Sequence, residues 1–310
     1  MALILWGFVN VGVVLLIAWT MNPLTTTLRQ VLGVSVVLWL FAFYPILCTL
    51  GQGQDSLILL LLTALSLRFA ARKQLFSSGL VLGLALFKFH LVFGVAFFTF
   101  VLPRKWRGVI GFVISSILVT GISRAAVGQG FPVAYIGMLR HQEEITPWGF
   151  IPWFMPNLRG LLTWILPWDV GVCLLITMFG SAVVATVAIW VVIRSHSNLS
   201  ETELFTLAIL TVLLVSFHLH MQDLTLAALP ILVLLDAALR SQLTSNRAVI
   251  LTFSIVALYS YRITAEAIPI LLLRGAVLAI PLILLWMVAI GISDIRIPRF
   301  EIRTLKINQP

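Results

Sequence analysis

Charge is scarce in this sequence, and the scarcity excludes more than any motif does. Asp, Glu, Lys and Arg make up 10% of the 310 residues, against 61% hydrophobic ones. A soluble domain carries about a quarter of its residues as charges, so an ordinary water-soluble globule is excluded. Acid is rarer than base, with 11 acidic residues to 20 basic ones, and no acidic residue precedes Asp55. The two cysteines, Cys48 and Cys173, fall inside or at the ends of apolar segments. They read as buried thiols, with no disulfide framework and no CxxC metal site. No HExxH and no GxGxxG stands out, so neither a zinc-hydrolase helix nor a dinucleotide-binding turn is indicated. No metal and no cofactor is expected. The net charge of +9 would suit nucleic acid, but the basic residues form short clusters beside apolar runs. That is the positive-inside signature of a membrane protein, so the lipid bilayer, not nucleic acid, is the expected partner.

Long apolar runs are what the sequence has instead. They lie near 1–20, 30–50, 56–70, 75–102, 108–127, 169–193, 204–219, 224–239, 247–261 and 268–291. A helix needs roughly 20 apolar residues to span a hydrocarbon core. The expected fold is therefore an all-α polytopic integral membrane protein with about 10–11 membrane segments. Residues 1–291 form the membrane domain, with an outer loop over 128–168, and 292–310 form a cytoplasmic tail.

The run 75–102 does not fit a single span. Its 28 residues would reach about 42 Å as a helix, too long for one upright crossing and too short for two. Arg68, Arg72 and Lys73 precede it, and Arg104, Lys105 and Arg107 follow it. Both clusters belong on the cytoplasmic side, so the run is expected to enter and return as a hairpin of two short helices. Lys88 and His90 then fall near its tip, and Gly79 and Gly83 form a small-residue pair suited to close helix packing. With that hairpin, 14 of the 20 basic residues lie on the cytoplasmic side; Lys88, Arg124, Arg140, Arg159, Arg262 and Arg274 are left toward the outer half.

The polar residues that interrupt the apolar runs gather on the outer side. Gly51-Gln52-Gly53-Gln54-Asp55 reads as a tight turn, with Asp55 placed to cap the next helix; its Gln and Asp side chains also suit sugar hydroxyls. Lys88 either snorkels to the interface or holds a phosphate beside His90. The segment from Gly128 to Trp168 is rich in proline and tryptophan, as an interfacial loop would be, and Leu158 to Leu166 reads as a short interfacial helix. Within that loop Arg140-His141-Gln142-Glu143-Glu144 is either a solvated surface or a substrate-facing lid. His218-Leu219-His220-Met221-Gln222-Asp223 places three ionisable groups at a membrane boundary, where such groups usually mark function. On a continuing helix His220 and Asp223 share a face, and Asp223 would orient the His220 imidazole. Asp236 and Arg240 read as a structural i,i+4 pair.

Taken in order, these motifs resemble glycosyltransferase family 87. The resemblance is carried by Gly51-Gln52 opening a Leu-rich span, Leu82-Gly83-Leu84-Ala85-Leu86-Phe87-Lys88 and Arg104-Lys105-Trp106-Arg107. Met155-Pro156-Asn157-Leu158-Arg159-Gly160 and the 218–223 motif complete it, over roughly residues 45 to 240. It implies a GT-C-like helical bundle in the bacterial cytoplasmic membrane. The implied activity is transfer of a hexose, mannose above all, from a polyprenyl-phosphate-sugar donor to a lipid or glycan hydroxyl on the outer face. His218, His220 and Asp223 are the implied catalytic residues. Gln52, Asp55, Lys88, His90, Arg140, His141, Glu143, Glu144, Asn157 and Arg159 are the implied substrate-binding ones.

The sequence departs from the family in one respect. Members carry a catalytic Asp in a first outer loop, and here no acidic residue stands before Asp55. A missing first span and loop is the expected explanation; in a complete chain Asp55, Glu143 or Glu144 would serve as base. The rival readings are a transporter or flippase for a lipid-linked sugar or small solute, and a catalytically inactive membrane partner.

Overall fold

The computed structural model describes residues 2–32, 35–128, 152–166, 169–195, 198–240, 243–267 and 275–295, with 130, 133 and 137 between them. Among the described residues every regular element is helical. Helix α1 is Ala2–Met21, α2 Thr26–Leu32, α3 Val36–Ala42, α4 Tyr44–Gln52, α5 Ser56–Ala71, α6 Leu75–Gly83, α7 Phe89–Ala96 and α8 Trp106–Val127. They are followed by α9 Leu158–Ile165, α10 Val170–Ser195, α11 Glu201–Val215, α12 Ala228–Leu239, α13 Ser245–Ala267 and α14 Ala279–Ile295.

Among the described residues, four helical stretches are long and apolar enough to cross a membrane: Ile4–Met21, Trp106–Val127, Val170–Ser195 and Met221–Leu239. The bent pair Leu75–Gly83 and Leu86–Val101 passes the same test only when its halves are taken together, as a broken span or a re-entrant loop would. The protein is a polytopic helical membrane protein. Large apolar side chains such as Phe8, Ile117 and Phe179 stand exposed on the outside of the bundle, as side chains facing lipid must. The run expected as one span over 30–50 is divided. Phe43 is extended, and Pro45 opens α4 within its first turn, where a missing N–H costs no helical bond.

Residues 75–102 enter and return. A Cβ added at Gly79 would overlap the Gly108 carbonyl, one at Gly83 would overlap Ser115 Oγ, and one at Gly111 would overlap the Phe76 carbonyl. From Gly79 to Gly83 along α6 the facing residue on α8 advances from Gly108 to Ser115, so α6 and α8 run parallel with their backbones nearly touching. The chain between them must therefore come back. It breaks after Gly83 and makes a 3-10 turn over Leu86–Lys88. The return runs through α7 and a π-helical turn at Phe97–Val101. Glu201, only 8% exposed, ties the two flanks together, accepting from Lys73 Nζ at 3.4 Å and Lys105 Nζ at 2.5 Å.

The bundle thus has a basic end and a second polar end. Lys73 follows the last turn of α5, whereas Asp55 precedes its first; the 16 residues of α5 span about 24 Å. The Trp6 indole donates to the Gly53 carbonyl at 2.8 Å, fixing α1 against the α4–α5 turn. At the basic end Asp236 pairs with Arg240 at 2.6 Å and also accepts from the Leu28 N–H at 2.8 Å. That second bond goes beyond the expected i,i+4 pair and fastens α12 to α2.

Candidate active site

The second polar end is assembled from three separate interruptions of apolar helix. The first is the α4–α5 turn. Gly53 sits in the left-handed region at φ 65°, a conformation glycine adopts without strain. Asp55 occupies the N-cap position of α5, yet its side chain makes no capping bond. The expected cap is corrected here: the carboxylate turns away from the helix and pairs through Oδ1 with Lys88 Nζ at 3.4 Å.

The second interruption is the hairpin tip. Lys88 closes the 3-10 turn and reaches a second carboxylate, Asp223 Oδ1, at 3.0 Å. His90 lies one step further, its ring edge-on to Phe89 with centroids 5.7 Å apart. Its imidazole is within electrostatic reach of Asp223, Lys88 and His220, and its Nε2 is buried without a hydrogen-bond partner.

The third interruption is 216–223. Helix α11 stops at Val215 and the chain is non-helical through His220, so His220 and Asp223 are not on a continuing helix. The freed backbone is satisfied by side chains, as non-helical backbone within a membrane domain requires. Ser216 Oγ donates to the His218 carbonyl at 2.7 Å, and Asn157 Nδ2 donates to the Ser216 carbonyl at 2.6 Å. A 3-10 helix then runs Met221–Ala227 with His220 as its N-cap. Asp223 Oδ2 accepts from the His220 main-chain N–H at 3.3 Å, and Asp223 Oδ1 accepts from Ser56 Oγ at 3.0 Å. Thr225 Oγ1 returns a bond to the Ser56 carbonyl at 3.4 Å.

These contacts form a graded series. The side chain of Asp223 is 1% exposed, that of Lys88 15%, and that of Asp55 45%. The innermost carboxylate is fixed by the Ser56 hydroxyl, the His220 amide and the Lys88 ammonium, and Lys88 leans from it toward the outermost one. Asp55 Oδ1 is buried against Lys88, so the open surface of this carboxylate lies on its other side.

The remaining candidates are placed in four different ways. Gln52 is exposed at the last turn of α4. Asn157 is fully buried, and both ends of its amide are engaged: it caps α9 by accepting from the Gly160 N–H at 3.0 Å while bonding Ser216. It therefore braces the 216–220 segment from behind and is not open to a ligand. Arg159 stacks over the Phe217 ring at 3.8 Å and bonds the Phe217 carbonyl at 3.3 Å. The Phe217 ring also meets the edge of the His218 ring, 4.7 Å between centroids. Arg140, His141, Glu143 and Glu144 lie outside the described residues.

His220 stands one residue before a membrane-crossing stretch. Burial against the surrounding helices lowers its imidazole below the ordinary histidine value, Asp223 pulls it up and Lys88 pushes it down. The net direction is downward, although part of the side chain is exposed. Ser56 is the site residue that sequence reasoning passed over. Its signal was a hydroxyl beside Asp55 at the head of an apolar helix, which reads as an ordinary first-turn residue until Asp223 is brought against it.

A polytopic bundle with a carboxylate–ammonium–carboxylate series at one end is an integral membrane protein with a polar cluster built into its helices. The profile of glycosyltransferase family 87 matches residues 1–217, and the chain belongs to that family. Its class is thus a membrane glycosyltransferase. The match takes in α1 and stops one residue before His218, whereas the motif resemblance begins and ends further along the chain. No curated protein and no solved structure matches this chain.

Proposed function

We propose that this protein transfers a hexose, mannose foremost, from a polyprenyl-phosphate donor to a hydroxyl of a lipid or glycan acceptor on the outer face of the membrane. The observation that carries this reading is the meeting of Asp55, Lys88 and Asp223. Three polar breaks, remote in sequence, converge at one end of an apolar bundle and leave one carboxylate half-exposed.

In the proposed reaction the acceptor oxygen attacks the anomeric carbon as the bond from that carbon to the phosphate oxygen breaks. The polyprenyl phosphate leaves with the bond's electron pair, and the acceptor's proton passes to Asp55. Among the described residues Asp55 is the carboxylate of this cluster with open surface, which a group that meets a substrate hydroxyl needs. Asp223 is too deeply buried to touch substrate and acts as a positioning residue. Arg159, His218 and His220 supply the N–H groups for the departing phosphate. Arg159 is held flat on Phe217, a preorganised arrangement suited to phosphate.

The test uses purified protein in proteoliposomes, given a polyprenyl-phosphate mannose carrying a labelled sugar together with a lipid extract from the source membrane. The expected result is a labelled glycoside and free polyprenyl phosphate in equal amounts. Movement of the intact labelled lipid-linked sugar across the bilayer with no glycoside formed would overturn the reading in favour of a flippase.

A further inference from the structure

We infer that Lys88 is a positioning residue that acts on substrate through Asp55 and does not contact the donor phosphate. The inference rests on the reading of Asp55 given above and assigns Lys88 a role opposite to the one its type suggests. A lone lysine at the tip of a hairpin, beside a histidine, looks built to hold a phosphate. The structure places its ammonium between two carboxylates, 3.0 Å from Asp223 Oδ1 and 3.4 Å from Asp55 Oδ1, with the side chain only 15% exposed. A phosphate approaching that ammonium would meet two like charges first. In a poorly solvated site, like charges repel more strongly than in water.

The geometry also says which carboxylate Lys88 serves. Asp223 has a second anchor in the Ser56 hydroxyl and a third in the His220 amide. Asp55 makes no capping bond to its own helix, and its buried Oδ1 has no hydrogen-bond partner; the ion pair with Lys88 is the contact that orients it. Asp223 therefore fixes Lys88, and Lys88 fixes Asp55. The hairpin 75–102 exists, on this view, to bring one ammonium to the α4–α5 turn. Its two flanks are clamped to Glu201 at the far end, which sets how far the tip reaches.

Two measurements test the role. The first is binding of polyprenyl phosphate itself, without sugar, to wild type and Lys88→Met, read by intrinsic tryptophan fluorescence. Positioning predicts dissociation constants within about threefold of each other. Loss of a charged phosphate contact predicts weakening of about tenfold or more, which would overturn the inference. The second is the split of rate constants in sugar transfer. Lys88→Met is expected to lower kcat by about 10- to 100-fold with the donor KM nearly unchanged, and Lys88→Arg to recover most of the loss. A raised donor KM with kcat intact, or no recovery by arginine, would overturn it.

If Lys88→Met fails to fold because Asp223 is left without a counter-charge, the double variant Lys88→Met/Asp223→Asn removes both charges and is measured in both assays. The two readings fail separately. Full activity in Asp55→Asn removes Asp55 from the reaction, whereas weakened lipid-phosphate binding in Lys88→Met removes Lys88 from the positioning role and leaves Asp55 untouched.

Discussion

Asp223 keeps three partners while its side chain is 1% exposed, so the consequences of replacing it follow from burial. Removing one member of a buried ion pair leaves the other charge uncompensated, at a cost of about 3–5 kcal/mol. Asp223→Ala is expected to lower the melting temperature in detergent by more than any other single change at the site. Asp223→Asn should lie between it and wild type, because its single amide oxygen keeps one of the two accepted bonds, which in wild type go to different carboxylate oxygens. A melting temperature for Asp223→Ala equal to wild type would mean the pair with Lys88 contributes nothing to the fold. His220 gives a prediction with a definite sign. Its imidazole is lowered from an ordinary value of 6.5, so it is uncharged at neutral pH and gains a proton only as the pH falls below the usual histidine range. Transfer should stay level from about pH 7 to 8 and change below about 6.5, and His220→Gln should abolish that low-pH limb in a pH–rate profile. At this scale the members of the candidate cluster were legible in the sequence. Asp55, Lys88, His90, His220 and Asp223 are conspicuous because each interrupts apolar helix. What it hid was their partners: the pairing of Asp223 with Lys88 spans 135 positions (223 less 88) and leaves no local trace.

Helices α6 and α8 show how small residues place a functional side chain. Each of Gly79, Gly83 and Gly111 faces the backbone or a short side chain of the other helix at a distance that no Cβ tolerates. Close approach of the two backbones sets the position of the hairpin tip that carries Lys88. Gly79→Leu or Gly83→Leu is expected to destabilise by about 1–3 kcal/mol or more through overpacking and to reduce transfer along with stability. Gly12→Leu, with no neighbour within 4 Å of an added Cβ, is the control and should leave both unchanged; thermal melts of the three variants decide. Elements long enough to carry a pattern were legible. The span near 108–127 is Trp106–Val127, and that near 169–193 is Val170–Ser195. The division of 30–50 into α2, α3 and α4 was less legible. An apolar run reads the same whether its helix is continuous or jointed, and Pro45 alone marked the joint. The break after Val215 was hidden for a related reason: Asn157, which supports it, comes from a different part of the chain.

The whole molecule is arranged by charge, and its orientation in the bilayer decides whether the proposed chemistry is feasible at all. Lys73 and Lys105 converge on Glu201 at one end, while Asp55 and Lys88 meet at the other. By the positive-inside rule the basic end is expected in the cytoplasm, and the proposed donor and acceptor require the candidate site on the opposite face. Thiol accessibility tests this in a background with Cys48 and Cys173 replaced by serine. Gln52, Gln74 and Arg107 are exposed positions, the first beside the site and the other two flanking the basic end. Gln52→Cys should react with a membrane-impermeant maleimide in intact cells, and Gln74→Cys and Arg107→Cys only after permeabilisation. Labelling of Gln74→Cys and Arg107→Cys from opposite sides would mean that 75–102 crosses the membrane once. Parallel packing of α6 with α8 would then be impossible, and the delivery of Lys88 by a returning hairpin would fall with it. Labelling of all three positions in the reverse sense would keep the hairpin and turn the site toward the cytoplasm. In that case the fold stands, and the outer-face donor and acceptor must be replaced by substrates presented from inside.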